Sequence, residues 1–335
     1  MKSKHFSVVT AMLMPGFLIA VMMSFASCAG RTGTQTSVQI QEGNITNPVQ
    51  TEAKVFFTAD ISPAGLMAVY EALGLTASGN VAVKLHTGEP GNTHYLKPEL
   101  IKDLVQRVNG TIVEANTAYG GRRASTAAHY QVARDHGFTS IATVVILDEN
   151  ADISLPVSGG NHLTENFVGA HFNEYDFHVV LSHFKGHQMG GFGGALKNIS
   201  IGYASSAGKM WIHSAGKNRT GFLAADQNAF LESMAEAAKS ITDQTRGKIL
   251  YINVMNHLSV DCDCNGRPTT PTMADIGILA SLDPVALDQA CVDLVYAAPD
   301  SRDLIERIES RNGLLIIDHA EKIGIGSKAY ELIRL

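Results

Sequence analysis

The segment from Ser182 to Asn198 holds the densest run of residue types able to do chemistry. It reads Ser182-His183-Phe184-Lys185-Gly186-His187-Gln188-Met189, then Gly190-Gly191-Phe192-Gly193-Gly194-Ala195-Leu196-Lys197-Asn198. Six glycines fall within residues 186–202. Glycine reaches backbone angles closed to other residues and lets a ligand approach main-chain amides. Consecutive amides of that kind can form a nest for an anion, with Lys185 and Lys197 adding positive charge. Gly191, Gly193, Gly194, Lys197 and Asn198 are therefore expected to hold a small anionic ligand. Lys185 and His187 are expected to act on it, His187 as acid, base or ligand.

A second constellation runs Asn256-His257-Leu258-Ser259-Val260-Asp261-Cys262-Asp263-Cys264-Asn265-Gly266. Thiolates at i and i+2 can face one metal if the backbone between them bends. Soft thiolates beside a histidine suit iron, zinc, nickel or copper rather than calcium. Cys262, Cys264, His257 and Asp261 form the expected set for a transition metal or iron–sulfur cluster. A Cys262–Cys264 disulfide, or a turn with free thiols, accounts for the same residues.

Two smaller groups carry similar chemistry. Lys84-Leu85-His86-Thr87-Gly88-Glu89 contributes Lys84 as a ligand-binding and His86 as a catalytic candidate. Asn116-Thr117-Ala118-Tyr119-Gly120-Gly121-Arg122-Arg123 contributes Tyr119 and Arg122. The named nucleotide motifs fail on spacing. The dinucleotide fingerprint needs glycine where Leu196 stands. Gly202 to Gly208-Lys209 has five intervening residues where a P-loop has four, and Met210 replaces Ser or Thr. There is no GxSxG elbow.

Each of these groups follows a strand-like run, and the elements alternate. Strands are expected over 54–59, 81–85, 111–114 and 141–147, with helices over 63–73, 98–108 and 125–136 between them. The almost wholly apolar 141–147 reads as a strand buried on both faces. Runs at 153–157, 163–170 and 177–184 have no helix between them and read as an antiparallel insertion or a sheet extension. A long helix over 227–241, a strand over 248–255, helices over 284–295 and 302–311 and a strand over 314–317 complete the series. The alternation predicts an α/β fold with a parallel or mixed central sheet flanked by helices, forming one domain over 54–335. In a parallel sheet the candidate groups open on one edge, where such sheets place their ligands.

The N-terminus is of another kind. Lys2 and Lys4 precede a mostly apolar stretch from Val8 to Phe25, then Ala26, Ser27 and Cys28. That order reads as an export signal over 1–27. It resembles the lipobox of bacterial lipoproteins, which implies lipidation at Cys28, attachment to a membrane and a place in the cell envelope outside the cytoplasm. Residues 28–53 read as a flexible tether. Without Cys28, only Cys262, Cys264 and Cys291 remain, too few for a disulfide scaffold or a four-cysteine cluster. The net charge of −6 offers nucleic acid nothing to bind.

The Val83–Glu89 run, the Phe184–His187 and Gly191–Asn198 runs, Asp261-Cys262-Asp263-Cys264, and Asp275–Ser281 with Asp283-Pro284-Val285-Ala286-Leu287-Asp288 resemble the domain-of-unknown-function 362 family. Its members are often labelled iron–sulfur-centre proteins, and many carry a CxxCxxC ferredoxin-like segment. No such repeat occurs in this sequence. The glycine-rich lysine segment is also similar, over one short motif, to nickel-pincer lactate racemases. Together these features point to an extracytoplasmic, lipid-anchored, metal-dependent or redox enzyme with a site at the strand ends. The alternative is a non-catalytic lipoprotein that binds a solute or partner.

Overall fold

The structure, a computed structural model, describes residues 52–335. The export signal, Cys28 and nearly all of the expected tether lie outside the described residues. The first half of the fold runs β1 (Ala53–Thr58), α1 (Pro63–Ala72), β2 (Val81–Lys84), α2 (Pro98–Arg107), β3 (Gly110–Glu114), α3 (Thr126–Asp135) and β4 (Val144–Ile146). The middle adds β5 (Asp152–Pro156), β6 (Glu165–Gly169), β7 (Phe177–His183), β8 (Lys185–His187), β9 (Gly191–Gly193), α4 (Ala195–Ser200) and α5 (Ser206–His213). It closes with α6 (Gln227–Thr245), β10 (Ile249–Met255), β11 (Gly277–Ser281), α7 (Pro284–Ala297), α8 (Arg302–Ser310), α9 (Leu315–Lys322) and β12 (Tyr330–Arg334).

The helices start where local chemistry tells them to. Ser62 caps α1 by accepting the Gly65 amide at 3.1 Å, with Pro63 in the first turn. Asp283 does the same for α7 and is followed by Pro284. The eight-stranded sheet has the order β12-β1-β11-β10-β7-β2-β3-β4. The run β10, β7, β2, β3, β4 is parallel. β11 is antiparallel to both neighbours, and β12 lies parallel to β1. The fold is thus α/β with a mixed sheet. The antiparallel insertion is the β5–β6 hairpin, with Asp152 opposite Gly169; the 177–184 run expected with it is instead β7, a parallel strand inside the main sheet between β10 and β2.

Strands β7 and β10 are buried along their whole length, as central strands must be. Val179 and Leu181 pack into the layer of α1 and α2, with Leu66, Val69, Ile101 and Leu104. Val180 and Phe184 pack into the opposite layer of α4, α6, α7 and α9. Each such side chain contributes about 1.5–3 kcal/mol on burial. From β2 the chain moves to β3 and β4 on one side. It then returns to β7 on the other side of β2 and continues to β10. The winding reverses between β2 and β7, so a crevice opens beyond their carboxyl ends.

Two further expectations differ from the structure. Residues 314–317 are not a strand but the start of α9, whose buried Ile316, Ile317 and Ala320 lie on one helical face. A four-residue apolar run cannot separate the two by periodicity. Of 141–147 only Val144–Ile146 is strand, and it is the sheet edge. Its apolar residues serve both packing layers, which explains the unbroken run. No helix among the described residues is long and apolar enough to cross a membrane.

Candidate functional site

Beyond the switch between β2 and β7 lies a cavity of about 270 Å³. β2 delivers Lys84 and His86, β3 delivers Glu114, and β7 and β8 deliver His183, Lys185 and His187. α4 adds Lys197 and Asn198, α5 adds Lys209, and the loop after β10 adds Cys262 and Cys264. Asn198 bolts the floor: its Nδ2 donates to the Lys84 and Leu181 carbonyls at 3.3 Å and to Ser182 Oγ at 3.0 Å. The expected Lys84, His86, Lys185, His187, Lys197, Tyr119, Gly193, Cys262 and Cys264 therefore do converge.

The four lysines differ in their partners. Lys84 Nζ donates to the Leu85 carbonyl at 2.7 Å, and Lys209 Nζ to the Ala204 carbonyl at 2.5 Å. Lys185 Nζ donates to the His183 carbonyl at 2.9 Å and pairs with Asp263 at 3.1 Å. Lys197 Nζ has no hydrogen-bond or ion-pair partner among the described residues. Burial disfavours the charged amine in each case and neighbouring cations add to it, while Glu114 opposes it at Lys84, Asp263 at Lys197, and Asp148 and Glu114 at Lys209. Lys84 and Lys197 are lowered to about 7 and Lys209 to about 8.

A second charged cluster forms an adjoining wall of the same cavity. Arg123, which is 1% exposed, donates to Glu89 at 2.9 Å, Glu114 at 3.0 Å and Tyr119 Oη at 2.9 Å. Glu114 also accepts from Thr87 Oγ1 and meets His129 Nε2 at 2.8 Å. Burial alone would raise the Glu114 carboxyl, but His129 and Arg123 outweigh it and hold it well below the usual range. Arg123, not the expected Arg122, is the cavity residue. Arg122 is exposed and offers only its backbone amide to Glu89, at 3.1 Å.

The expected anion nest is already filled. The amides of Ala195 and Leu196 donate to the two Asp288 carboxylate oxygens at 2.8 and 2.9 Å. A Cβ on Gly194 would stand 2.3 Å from Asp288 Oδ1, so glycine there admits a carboxylate of the chain itself. Gly191, at φ +79°, packs against Gly313 and Ile308 of a neighbouring turn. Gly191 and Gly194 thus serve packing. Gly193 leaves room for the Lys197 stem, since a Cβ there would lie 3.3 Å from Lys197 Cδ. Cationic side chains, not amides, give the site its sign.

The sulfur loop is pinned by Asp263. Its carboxylate forms an ion pair with Lys185 and meets His183 Nδ1 at 2.9 Å, while His183 Nε2 faces the Asn256 carbonyl at 2.6 Å. Burial would raise Asp263, but His183 and Lys185 outweigh it and keep its pKa well below the ordinary value. Cys262 and Cys264 are joined as a disulfide. With His187 they form a group whose ligand atoms lie within 4.8 Å of one another and could hold a metal. His257 and Asp261, expected in that set, are elsewhere. The His257 ring stacks on His94 at 5.6 Å, and its amide donates to Asp275 at 2.7 Å. Asp261 accepts from the Thr269 amide and hydroxyl at 2.9 and 2.7 Å, fixing the loop. Cys291 lies in the core, where Asn253 Nδ2 donates to its Sγ at 3.4 Å.

The fit of a metal depends on two changes. The disulfide must be reduced, because thiolates are the ligands. The His187 ring must also change. Its Nδ1 accepts the Met189 and Gly190 amides at 3.3 and 2.8 Å, so the neutral ring carries its proton on Nε2. Burial and the nearby Lys197 keep the ring neutral, well below the usual histidine range. As it stands, His187 is an N–H donor.

Sequence reasoning passed over Lys209, Arg123, Glu114 and Asp263 as site residues. Lys209 sits mid-helix, far along the chain from any strand end. Glu114 is the last residue of an expected strand, and that position was the available signal.

The sequence model of a family described as Domain of unknown function (DUF362) matches residues 81–293. None of the curated proteins matches. Among solved structures, the lactate racemase apoprotein from Thermoanaerobacterium thermosaccharolyticum is similar at 16% identity and a TM-score of 0.41, covering 72% of this chain and 56% of that one. A protein from Thermotoga maritima is similar at 13% identity and a TM-score of 0.39, covering 78% of this chain and 58% of that one. The chain spans little more than half the length of either.

Proposed function

The chain belongs to the family described as Domain of unknown function (DUF362), and on that premise we propose that it is an enzyme acting on a small anionic molecule held in the lysine cavity. One observation carries this reading. Lys84, Lys197 and Lys209 face one cavity, and none has a carboxylate within ion-pair distance among the described residues. Cations withdrawn from water without a directly paired carboxylate are costly, and an anionic ligand supplies the missing contact. Lys185, His187 through Nε2–H, and Lys209 orient the anion. Lys84 and Lys197, both lowered to about 7, can gain or lose a proton at neutral pH.

A transition metal belongs to this reading for the reduced protein. His187, Cys262 and Cys264 would hold it, and it would add a Lewis acid to the cavity wall. Among the described residues two cysteines line the cavity, which favours a single ion over an iron–sulfur cluster. We also propose that lipid on Cys28 holds the protein in the bacterial cell envelope, outside the cytoplasm, with no nucleic-acid partner. The disulfide favours a second reading, a binding lipoprotein in which the sulfurs only brace the loop.

Calorimetry with a panel of small carboxylates and phosphate tests the proposal. We expect at least one to bind, and Lys209→Met to weaken it about tenfold or more. Absence of binding by any anion at neutral pH refutes it. Conversion of the bound anion separates enzyme from binding protein, and metal analysis of anaerobically purified protein tests the metal.

A further inference from the structure

Among the four lysines of the cavity, Lys197 stands apart. Lys84, Lys185 and Lys209 each spend a proton on a backbone carbonyl, at 2.7, 2.9 and 2.5 Å. Lys197 Nζ makes no such bond among the described residues, yet it lines the same cavity. Its backbone is fixed, because Asp288 ties down the first amides of α4 and Asn198 is bound to the ends of β2 and β7. Its stem lies along Gly193, where any side chain would crowd Cδ. The result is a rigidly based amine with an uncommitted end, surrounded by cations that can take a carboxylate.

From this arrangement we propose that Lys197 is a nucleophile that forms an imine with the carbonyl group of a small oxo acid, whose carboxylate lies among Lys84, Lys185 and Lys209. The inference rests on the anion-binding reading of the same cavity. The amine is lowered to about 7 by burial and by the nearby Lys185 and Lys84, so a substantial share carries a free lone pair at neutral pH. That pair forms a C–N bond to the carbonyl carbon, and the carbonyl π electrons move to oxygen. The nitrogen loses a proton and the oxygen gains one, giving a carbinolamine. A second proton on that oxygen lets it leave as water, and the nitrogen pair closes the C=N bond. No oxidant or reductant takes part. The imine withdraws electrons from the neighbouring carbon, which is what bond-breaking next to a carbonyl requires.

The test is reductive trapping. The full protein is incubated with pyruvate or glyoxylate and reduced with sodium borohydride, then examined by intact mass and peptide mapping. Oxamate, which resembles pyruvate but has no ketone, is titrated separately by calorimetry. The expected result is one adduct per chain, mapped to Lys197, absent in Lys197→Arg and retained in the exposed-lysine variant Lys102→Arg. Mapping on the unaltered protein decides the site even if a variant fails to fold. Oxamate binding without an adduct at Lys197 overturns the imine and leaves the anion site standing. An adduct spread over exposed lysines overturns the imine as well. Absence of both binding and adduct overturns both.

Discussion

Two charged clusters share the carboxyl edge of the sheet and are built on opposite rules. In the cluster on the Glu114 wall of the cavity, Arg123 has Glu89 and Glu114, and Glu114 has Arg123, His129 and Thr87. In the cluster facing the cavity, Lys84 and Lys209 meet only carbonyls, and Lys197 meets no partner among the described residues. Both are largely withdrawn from solvent, with Glu89 in one and Lys197 in the other half-buried, so burial alone does not separate them. A completed set of charges fixes loops. An incomplete set keeps a place for a charge from outside, and it is the stronger mark of a ligand site.

The largest effect is expected from breaking the completed cluster. Glu114→Gln leaves Arg123 and His129 buried without their shared carboxylate. Removing one member of a buried pair costs about 3–5 kcal/mol. Denaturant unfolding should show a loss of that order. A loss below about 1 kcal/mol would mean the cluster is wetter or looser than its geometry states.

The matching change in the other cluster should have the opposite sign for stability. Lys209→Met or Lys84→Met removes a buried amine with no carboxylate partner. Stability should hold or rise, whereas affinity for the bound anion should fall by about 1.5–3 kcal/mol, the worth of a hydrogen bond to a charged group. Parallel unfolding and calorimetry on each variant provide the check. Destabilisation as large as that of Glu114→Gln would erase the distinction between the clusters.

Titration sharpens the contrast. Lys84 and Lys197 fall from 10.5 in the unfolded chain to about 7 in the folded one. Between those values the unfolded state binds more protons, so stability of the ligand-free protein should rise as pH climbs from about 7 toward 10. Below about 7 both amines are charged in both states and the cost is fully present. Anion affinity must run the other way, highest below 7 and falling as Lys84, Lys197 and then Lys209 lose their protons. A flat affinity between pH 6 and 9 would show that these amines do not touch the anion.

The same contrast explains what the sequence disclosed. Lys84, Lys185 and Lys197 were legible because each lies in or beside a run that follows a strand, and the alternation of elements set the strand ends on one edge. Lys209 was not, since α5 returns to the cavity by packing rather than by any local signal. Arg122 and Arg123 are adjacent, and only the turn geometry decides which one is buried. The anion nest failed for a long-range reason: its amides are taken by Asp288, some ninety residues on, at separations of 93 and 92. The Asp283–Asp288 motif was visible, but its partner was not. The sulfur pair kept its ambiguity for a chemical reason, since the same Cys-x-Cys serves as a disulfide or as two ligands according to redox state.

That pair offers the smallest effect and the last test of the contrast. The cavity-facing cluster takes charge from outside, and a cation on His187, Cys262 and Cys264 would be a second visitor on its wall. Binding must await reduction, and it must displace the amide bonds to His187 Nδ1 or remove the Nε2 proton, so affinity should be modest. For the reduced protein, zinc at about ten times Kd should add about 1.4 kcal/mol of stability. The oxidised protein and Cys262→Ser should show no such gain. Equal stabilisation of oxidised and reduced protein would place the metal away from the sulfurs, and the cavity would then be a site for anions alone.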